Sequence, residues 1–213
     1  MTTLRIFEIF YSLQGESSRV GLPTIFIRLT GCPLRCVYCD TEYAFKGGGN
    51  MTLDEIMQQI ATYGTRYVCV TGGEPLAQKG CSELLTRLCE QGYQVSLETS
   101  GAMDLTPVDA RVKVIMDVKT PGSGEVEKNR WENLPLLKAG DEVKWVVCSR
   151  EDYDWAKQMM AERAFPMNCD HLFSPSFHEV SGETLASWIL EDHLQVRMQL
   201  QLHKILWGEK QGV

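Results

Sequence analysis

Short apolar segments recur along the chain and alternate with segments that have helical spacing. Five runs rich in Val, Ile and Phe predict strands: Thr24 to Thr30, Tyr67 to Thr71, Val95 to Ser100, Val112 to Val118 and Val143 to Val147. Their apolar residues are nearly continuous, which is typical of parallel strands covered on both faces. Apolar positions three and four residues apart predict helices at Leu53 to Tyr63, Ser82 to Gln91 and Glu151 to Arg163.

Alternation of strands and helices favours an α/β fold with a parallel sheet. A strand near Leu172, a helix at Thr184 to Leu190 and a last strand at Gln195 to Leu202 give about six or seven strands, fewer than the eight of a closed barrel. We therefore expect a partial, incomplete parallel β/α barrel. The Gly-, Pro- and polar-rich segments Lys46 to Asn50 and Lys119 to Pro135 are predicted to be loops, the second long enough to act as a lid.

Length and charge narrow the class of protein. A chain of 213 residues with 44% hydrophobic and 23% charged residues is expected to form a single domain over residues 1–213. The formal net charge of −7 argues against nucleic acid as a partner, because phosphate binding needs clustered Lys and Arg, and favours a small-molecule substrate. No long apolar run and no basic-then-apolar leader is present, so no membrane partner is expected and the expected location is cytoplasmic.

Three of the eight cysteines, Cys32, Cys36 and Cys39, follow the first predicted strand within a loop at residues 31–41. Clustered thiolates are soft ligands, which suit iron–sulfur or zinc. A structural zinc site uses four ligands, commonly as two pairs, and electron-transfer clusters use four cysteines. Three cysteines instead suggest a 4Fe-4S cluster with one iron open to a non-protein ligand. Zinc or buried thiols remain the alternative, and the other cysteines are expected to be core or surface thiols.

Polar residues follow the other predicted strands, at the edge where active sites of parallel barrels gather. Thr71 to Pro75 (TGGEP) combines glycines that allow close approach of a ligand with a carboxylate that can hold an ammonium. Glu98 to Gly101 and Asp117 to Lys119 end the next two strands. A tight turn, a helix cap or a surface ion pair are the alternatives for these segments.

Six motifs together define a family resemblance. They are Ser12 to Glu16 (SLQGE), Ile25 to Arg28 (IFIR), Gly31 to Pro33, Cys39 to Thr41 (CDT), Thr71 to Pro75 and Glu98 to Gly101. The cysteine spacing resembles that of the radical S-adenosylmethionine (SAM) superfamily. Over almost the whole chain, the order and distances of these motifs resemble the 7-carboxy-7-deazaguanine synthase family, in which LQGE precedes the first strand and CDT follows the third cysteine.

This resemblance implies a radical SAM lyase with a partial barrel of the radical SAM type. The implied reaction converts 6-carboxy-5,6,7,8-tetrahydropterin to 7-carboxy-7-deazaguanine with release of ammonia, in queuosine and deazapurine biosynthesis. The implied cofactors are a 4Fe-4S cluster, SAM and Mg²⁺. The implied partners are an external one-electron reductant of the flavodoxin or ferredoxin type and a second copy of the chain, as a homodimer.

The site residues are carried over by position. Cluster ligands are Cys32, Cys36 and Cys39, and the magnesium ligand is Thr41. Substrate-binding positions are Leu13, Gln14, Gly15, Arg28 and Thr71. SAM-binding positions are Tyr38, Gly73, Ser100, Asp117, Lys119, Ser174, Pro175, Ser176 and Phe177. Arg28 suits a substrate carboxylate, and an ion pair with Glu16 or Asp40 is its alternative role.

The chain departs from the family pattern at several positions. Ser17 stands where the family often has a second glycine, and segments 117–119 and 174–177 differ from the Ser-Pro-Lys and Gln-Pro elements of some relatives. The tail after Lys204 is also longer than in relatives whose terminal carboxyl region approaches the substrate. Two other functions stay open from the sequence: a glycyl-radical enzyme activase, which does not need Gln14 or Arg28, and a non-enzymatic iron–sulfur protein.

Overall fold

A single nine-stranded sheet forms the centre of the computed structural model, which describes residues 1–213. The strands are β1 (Thr3–Leu13), β2 (Pro23–Leu29), β3 (Gly49–Thr52), β4 (Tyr67–Gly72), β5 (Gln94–Thr99), β6 (Lys113–Val118), β7 (Glu142–Val147), β8 (Asp170–Pro175) and β9 (Arg197–Met198). Their order is β3-β1-β2-β4-β5-β6-β7-β8-β9. Neighbours from β2 to β9 are parallel, whereas β1 is antiparallel to both β2 and β3.

Five α-helices accompany the sheet. They are α1 (Leu53–Ile60), α2 (Cys81–Glu90), α3 (Arg150–Glu162), α4 (Gly182–Glu191) and α5 (Leu202–Trp207). A capping box between Thr52 and Glu55 begins α1, and the hydroxyls of Ser149 and Ser181 accept backbone hydrogen bonds at the starts of α3 and α4. None of the helices has both the length and the apolar character needed to cross a bilayer.

The expected partial barrel is confirmed, because the parallel strands curve around one cavity while β3 and β9 remain unpaired edges. Three expectations about its margins were wrong. The antiparallel strands β1 and β3 were not predicted, and Gly49 and Asn50, expected in a loop, pair with β1. The last strand is only two residues long, and α5 already begins at Leu202.

The apolar core lies between the outer face of the sheet and the helices. One cluster joins β1, β2, β4 and β5 to α1 and α2, and a second joins β6 to β8 with α3 and α4. Leu84, Leu85 and Leu88 of α2 are fully buried there, and each such side chain contributes about 1.5–3 kcal/mol relative to an exposed one. The inner face of the sheet is therefore free to carry polar side chains.

The loop between β1 and β2 folds into the barrel and explains one departure from the family pattern. Ser17 has a φ of 68°, a left-handed conformation that favours glycine. Two hydrogen bonds stabilise this backbone conformation of Ser17. Ser17 N donates to Gln199 Oε1 at 2.7 Å, and Ser18 N donates to the buried carboxylate of Glu142 at 3.0 Å. The loop thus connects the barrel interior to β7 and to the segment after β9.

The long segment after β6, expected to be a loop, consists of short 3-10 turns at Pro121–Ser123, Val126–Lys128 and Trp131–Leu136. Asn133 is fully buried, and its side chain bonds the backbone of Gly101, Met103 and Leu105. The segment is therefore packed against the rim of the barrel.

Candidate active site

A cavity of about 680 Å³ opens at the carboxyl ends of the parallel strands. Every residue that the sequence assigns to the cluster, to magnesium, to the substrate or to SAM lines it. The C-terminal residues 208–213 line it too, although nothing in their own sequence predicts this. Because parallel strands all end at one edge of the sheet, motifs far apart in the chain meet there.

The cysteine loop leaves β2 through Gly31, which has a φ of 95°. Backbone bonds hold it at three points: Gly31 N to Ala44 O at 2.9 Å, Glu74 N to Gly31 O at 2.9 Å and Val37 N to Ser123 O at 3.0 Å. Gly73 lies directly against the loop, since a Cβ there would be 2.6 Å from Gly31 C and 2.8 Å from Cys32 Cβ. The glycine motif and the cysteine loop therefore form one packed unit.

The three thiols of the loop are free of disulfides, with Cys36 buried and Cys32 and Cys39 partly exposed. Burial raises the pKa of all three, and the nearby Lys119 ammonium opposes this at Cys36. No three His, Cys, Asp or Glu side chains surround a single point closely enough for one metal ion. Three soft thiolates within one loop fit a 4Fe-4S cluster, in which each cysteine binds its own iron.

Three residues that line this cavity each carry a buried polar atom with no partner in the chain: Tyr38 Oη, Asp117 Oδ1 and Ser174 Oγ. Unsatisfied buried polar atoms are costly, so these three are candidates for contact with a polar ligand. Lys119 Nζ pairs with Asp117 Oδ2 at 3.1 Å and lies 5.7 Å from the centre of the Tyr38 ring. Burial lowers the pKa of Lys119, but Asp117 and the thiols outweigh it and raise the pKa, so the lysine remains charged.

The segment after β8 completes this side of the cavity. Ser176 N donates to Val147 O at 2.8 Å, which continues the sheet pairing beyond Pro175. Phe177 is about half exposed, and its ring lies 4.8 Å from Lys204 Nζ of α5. The aromatic side chain therefore forms part of the rim.

The carboxylate of the TGGEP motif does not face a ligand, contrary to the idea that it could hold an ammonium. Glu74 is fully buried and accepts hydrogen bonds from Thr99 Oγ1 at 2.9 Å, Ser100 N at 2.6 Å, Ser100 Oγ at 2.5 Å and Leu76 N at 3.0 Å. Its acceptor capacity is used within the protein. Glu74 instead ties the end of β4 to the end of β5, and so fixes the backbone of Ser100.

Glu98, near the end of β5, orients two of the residues expected at the substrate. Its carboxylate accepts from Gln14 Nε2 at 3.2 Å and from Thr71 Oγ1 at 2.9 Å. Gly15 follows Gln14, and a Cβ there would be 3.0 Å from His203 Cγ and closer to its Nδ1. Leu13 lies at the end of β1 beside them. This wall is therefore built by β1, β4, β5 and α5 together.

Arg28 is paired, but with a residue that the sequence did not suggest. Its Nε donates to Glu8 Oε1 on β1 at 2.8 Å, and neither Glu16 nor Asp40 contacts it. Its two terminal nitrogens make no hydrogen bond within the chain. The guanidinium therefore keeps donors available at the cavity.

Glu16 and Lys144 form a largely buried ion pair that lines the cavity. Glu16 Oε1 also accepts from Gln201 Nε2 at 2.8 Å. Although burial raises the pKa of Glu16, the Lys144 ammonium outweighs it and holds that pKa below its ordinary value. Sequence reasoning missed Lys144, and the available signal was a single cationic residue in the otherwise apolar run VKWVV.

Thr41 and Asp40 form an oxygen-rich corner next to the cysteine loop. Thr41 Oγ1 donates to Asp40 Oδ1 at 2.7 Å. The other carboxylate oxygen accepts from Gln201 Nε2 at 3.2 Å and lies 3.7 Å from Lys204 Nζ. Hydroxyl and carboxylate oxygens are the ligands that Mg²⁺ prefers.

Comparison with known proteins defines the class first. The radical SAM superfamily model matches residues 26–161, and the chain is a member of that superfamily. The crystal structure of QueE from Escherichia coli has a TM-score of 0.75, 23% sequence identity and coverage of 94% of this chain and 95% of that one, so the folds are alike. That fold confirms the radical SAM type of partial barrel.

Curated relatives give the particular family. The chain is 47% identical over 208 residues to the 7-carboxy-7-deazaguanine synthase of Chlorobaculum tepidum, covering 96% of this chain and 94% of the relative. It is 43% identical to that of Koribacter versatilis, covering 99% and 100%. The chain belongs to the 7-carboxy-7-deazaguanine synthase family. Membership implies a 4Fe-4S cluster and SAM. It argues against the two alternatives that the sequence left open, a glycyl-radical enzyme activase and a non-enzymatic iron–sulfur protein.

Proposed function

We propose that this protein converts 6-carboxy-5,6,7,8-tetrahydropterin to 7-carboxy-7-deazaguanine, with release of ammonia, in queuosine (7-deazapurine) biosynthesis. The relatives named above carry the name of that product. The observation that carries the proposal is a single cavity lined by both the three-cysteine loop and the Leu13 to Arg28 wall. The proposed radical generator and the proposed binding site for a carboxylated substrate thus share one cavity.

Cys32, Cys36 and Cys39 are proposed to hold the 4Fe-4S cluster. Together with bound SAM, such a cluster would supply the radical chemistry that removes a hydrogen atom from the substrate, with the electron coming from the external reductant. The chain positions the reactants. Gly73 allows the end of β4 to pack directly against the cysteine loop, because no side chain lies between them. Gly31 provides the turn from β2 into that loop.

The SAM side of the cavity is proposed to be the wall that carries the three unpartnered polar atoms. Tyr38 Oη, Asp117 Oδ1 and Ser174 Oγ offer a donor and acceptors to a ligand rich in hydroxyl, amino and carboxylate groups. Lys119 supplies a fixed positive charge beside them. Ser100, Pro175, Ser176 and Phe177 border the same wall.

The substrate side is proposed to be the wall of Leu13, Gln14, Gly15, Arg28 and Thr71. The terminal nitrogens of Arg28 suit the pterin carboxylate because planar guanidinium and carboxylate groups form paired hydrogen bonds. Gln14 and Thr71 are held in fixed orientations by Glu98. The C-terminal residues 208–213 line the same cavity.

Four further assignments belong to this proposal. Thr41 offers its hydroxyl to Mg²⁺, with the remaining positions left for water and substrate oxygens. A flavodoxin- or ferredoxin-type protein supplies the electron. The enzyme works in the cytoplasm and as a homodimer, as the family resemblance implies.

The test is an anaerobic assay of the reconstituted protein with SAM, a reductant and the carboxytetrahydropterin. We expect 7-carboxy-7-deazaguanine, ammonia and turnover of SAM. Cys36→Ala should lose cluster iron and all reductive SAM cleavage, whereas Cys81→Ala, which alters a core thiol of α2, should retain both. A cluster-loaded protein that cleaves SAM but leaves the pterin unchanged would refute the substrate, and an active Cys36→Ala protein would refute the cluster assignment.

A further inference from the structure

Glu8 occupies a position that the alternation of a regular strand would not give it. Ile6 pairs with Leu29 and Glu8 pairs with Arg28, so one extra residue, Phe7, lies between them as a β-bulge. Leu4, Ile6 and Ile9 pack in the apolar layer against the helices. With a period of two, Glu8 would share the face of Leu4 and Ile6. The bulge instead returns Ile9 to the apolar layer and brings Glu8 to the inner face.

On the inner face, Glu8 contacts the group proposed to anchor the substrate. Its Oε1 accepts from Arg28 Nε at 2.8 Å and from Tyr43 Oη at 3.2 Å. The Arg28 Cζ atom lies 5.6 Å from the centre of the Phe10 ring and 5.8 Å from that of Tyr43, within cation–π range. The guanidinium is thus restrained by one ion pair and two aromatic rings.

The hydrogen-bond pattern leaves a defined part of Arg28 available. A guanidinium has five N–H donors, and Glu8 takes only the one on Nε. The end that carries both terminal nitrogens makes no hydrogen bond within the chain, although the Arg28 side chain is only 15% exposed. A carboxylate approaching that end can accept two parallel hydrogen bonds.

We propose that Glu8 is a positioning residue: it fixes Arg28 through Nε so that the terminal nitrogens face the cavity and bind the carboxylate of the pterin substrate. This inference rests on the proposed function. Glu8 performs a second task in the same contact, because its charge offsets the cost of burying the guanidinium before substrate arrives. The bulge in β1 is the feature of the fold that makes this arrangement.

The test compares Glu8→Ala, Glu8→Gln, Arg28→Ala and the double variant Glu8→Ala/Arg28→Ala as reconstituted holoenzymes. Glu8→Ala should raise KM for the carboxypterin by about 10- to 100-fold, because misplacing a binding group by about 1 Å has effects of this size. Glu8→Gln retains an acceptor and should show a smaller increase in KM. The double variant should be no worse than Arg28→Ala within about threefold, because the two residues act through one contact.

A substrate analogue that lacks the 6-carboxylate separates positioning from general damage. The parent enzyme should favour the carboxylated substrate strongly, Arg28→Ala should lose that preference, and Glu8→Ala should lose part of it. A merely structural role for Glu8 would weaken both substrates equally. Glu90→Ala, which removes an exposed carboxylate on α2, should behave like the parent enzyme.

The outcomes distinguish this inference from the proposed function. If Arg28→Ala binds the carboxypterin as the parent does, the carboxylate anchor itself is refuted. If Arg28→Ala is impaired while Glu8→Ala is not, or if their effects multiply in the double variant, Arg28 is the anchor and the role of Glu8 is refuted. If Glu8→Ala does not fold, the same comparison is made with Glu8→Gln and with the double variant Glu8→Gln/Arg28→Ala. The double variant must again be no worse than Arg28→Ala within about threefold.

Discussion

Replacing Gly73 by alanine tests the packing between the glycine motif and the cysteine loop. The new Cβ would lie 2.6 Å from Gly31 C and 2.8 Å from Cys32 Cβ. Ordinary carbon–carbon contacts begin at about 3.5 Å, so the two segments must separate by about 0.9 Å. Most of the clashing atoms belong to backbone, and no rotamer change can relieve them.

The magnitude follows from these contacts. Overpacking of this kind costs about 1–3 kcal/mol, and weakening the hydrogen bond from Glu74 N to Gly31 O adds about 1 kcal/mol. A loss of about 2–4 kcal/mol corresponds to a Tm lower by about 4–16 °C for a chain of this size. The chemical effect should be larger, because a ligand displacement of about 0.9 Å exceeds the tolerance of about 0.2 Å of a metal site.

Two measurements check this prediction for Gly73→Ala: thermal unfolding of the apo protein and iron bound per chain after anaerobic reconstitution. Both should fall, and reductive SAM cleavage should fall with the iron. Gly64→Ala is the matched control, since a Cβ at Gly64 meets no atom within 4 Å; it should be neutral or up to about 1 kcal/mol more stable. A Gly73→Ala protein with parental Tm and a full complement of iron would show that the two segments are not packed as described.

The remaining predictions concern the polar side chains of the cavity. Thr41→Ala should weaken the dependence of turnover on Mg²⁺ while Thr41→Ser preserves it; an unchanged magnesium titration for Thr41→Ala would exclude the hydroxyl as a ligand. Lys144→Met should lower the free energy of unfolding by about 3–5 kcal/mol, because it leaves Glu16 buried without its partner. Adding Glu16→Gln should recover most of this loss, as measured by urea unfolding, and no recovery would argue against the pair. Because the pKa of Glu16 is below its ordinary value of 4.5, the pair's stabilisation is present above pH 4.5 and is lost as the pH falls, so the double variant should lose less stability in acid than the parent.

The sequence predicted the central strands well because these strands are buried on both faces. Five predicted strands match β2, β4, β5, β6 and β7 within one residue at each end. Strand β1 has no such run, because charged residues interrupt it and its bulge breaks the period of two. Strand β3 is only four residues long, directly follows two glycines, and pairs with β1 alone. Neither the bulge in β1 nor the pairing of β1 with β3 can be read from local composition.

The candidate site was predicted where it is built from contiguous motifs and missed where it is built by pairing. Cysteine, glycine and acidic motifs lie at strand ends, so their meeting follows from the topology of a parallel sheet. Glu8 reaches the site through strand register, Lys144 through its alternation in β7, and His203 through docking of α5 against Gly15. Each of these depends on a long-range contact that a single sequence does not display.

The loop after β1 both contacts distant strands of the barrel and carries residues proposed to bind the substrate. Through Gln14 it contacts Glu98 on β5, and through Ser18 it contacts Glu142 on β7. The loop therefore crosses the interior of the partial barrel and connects strands that do not pair with each other. Because the same short segment supports the sheet and lines the cavity, changes within it should alter stability and substrate affinity together. That coupling gives a physical reason for Ser17 to keep its left-handed backbone conformation, since relaxing it would move both ends of the segment.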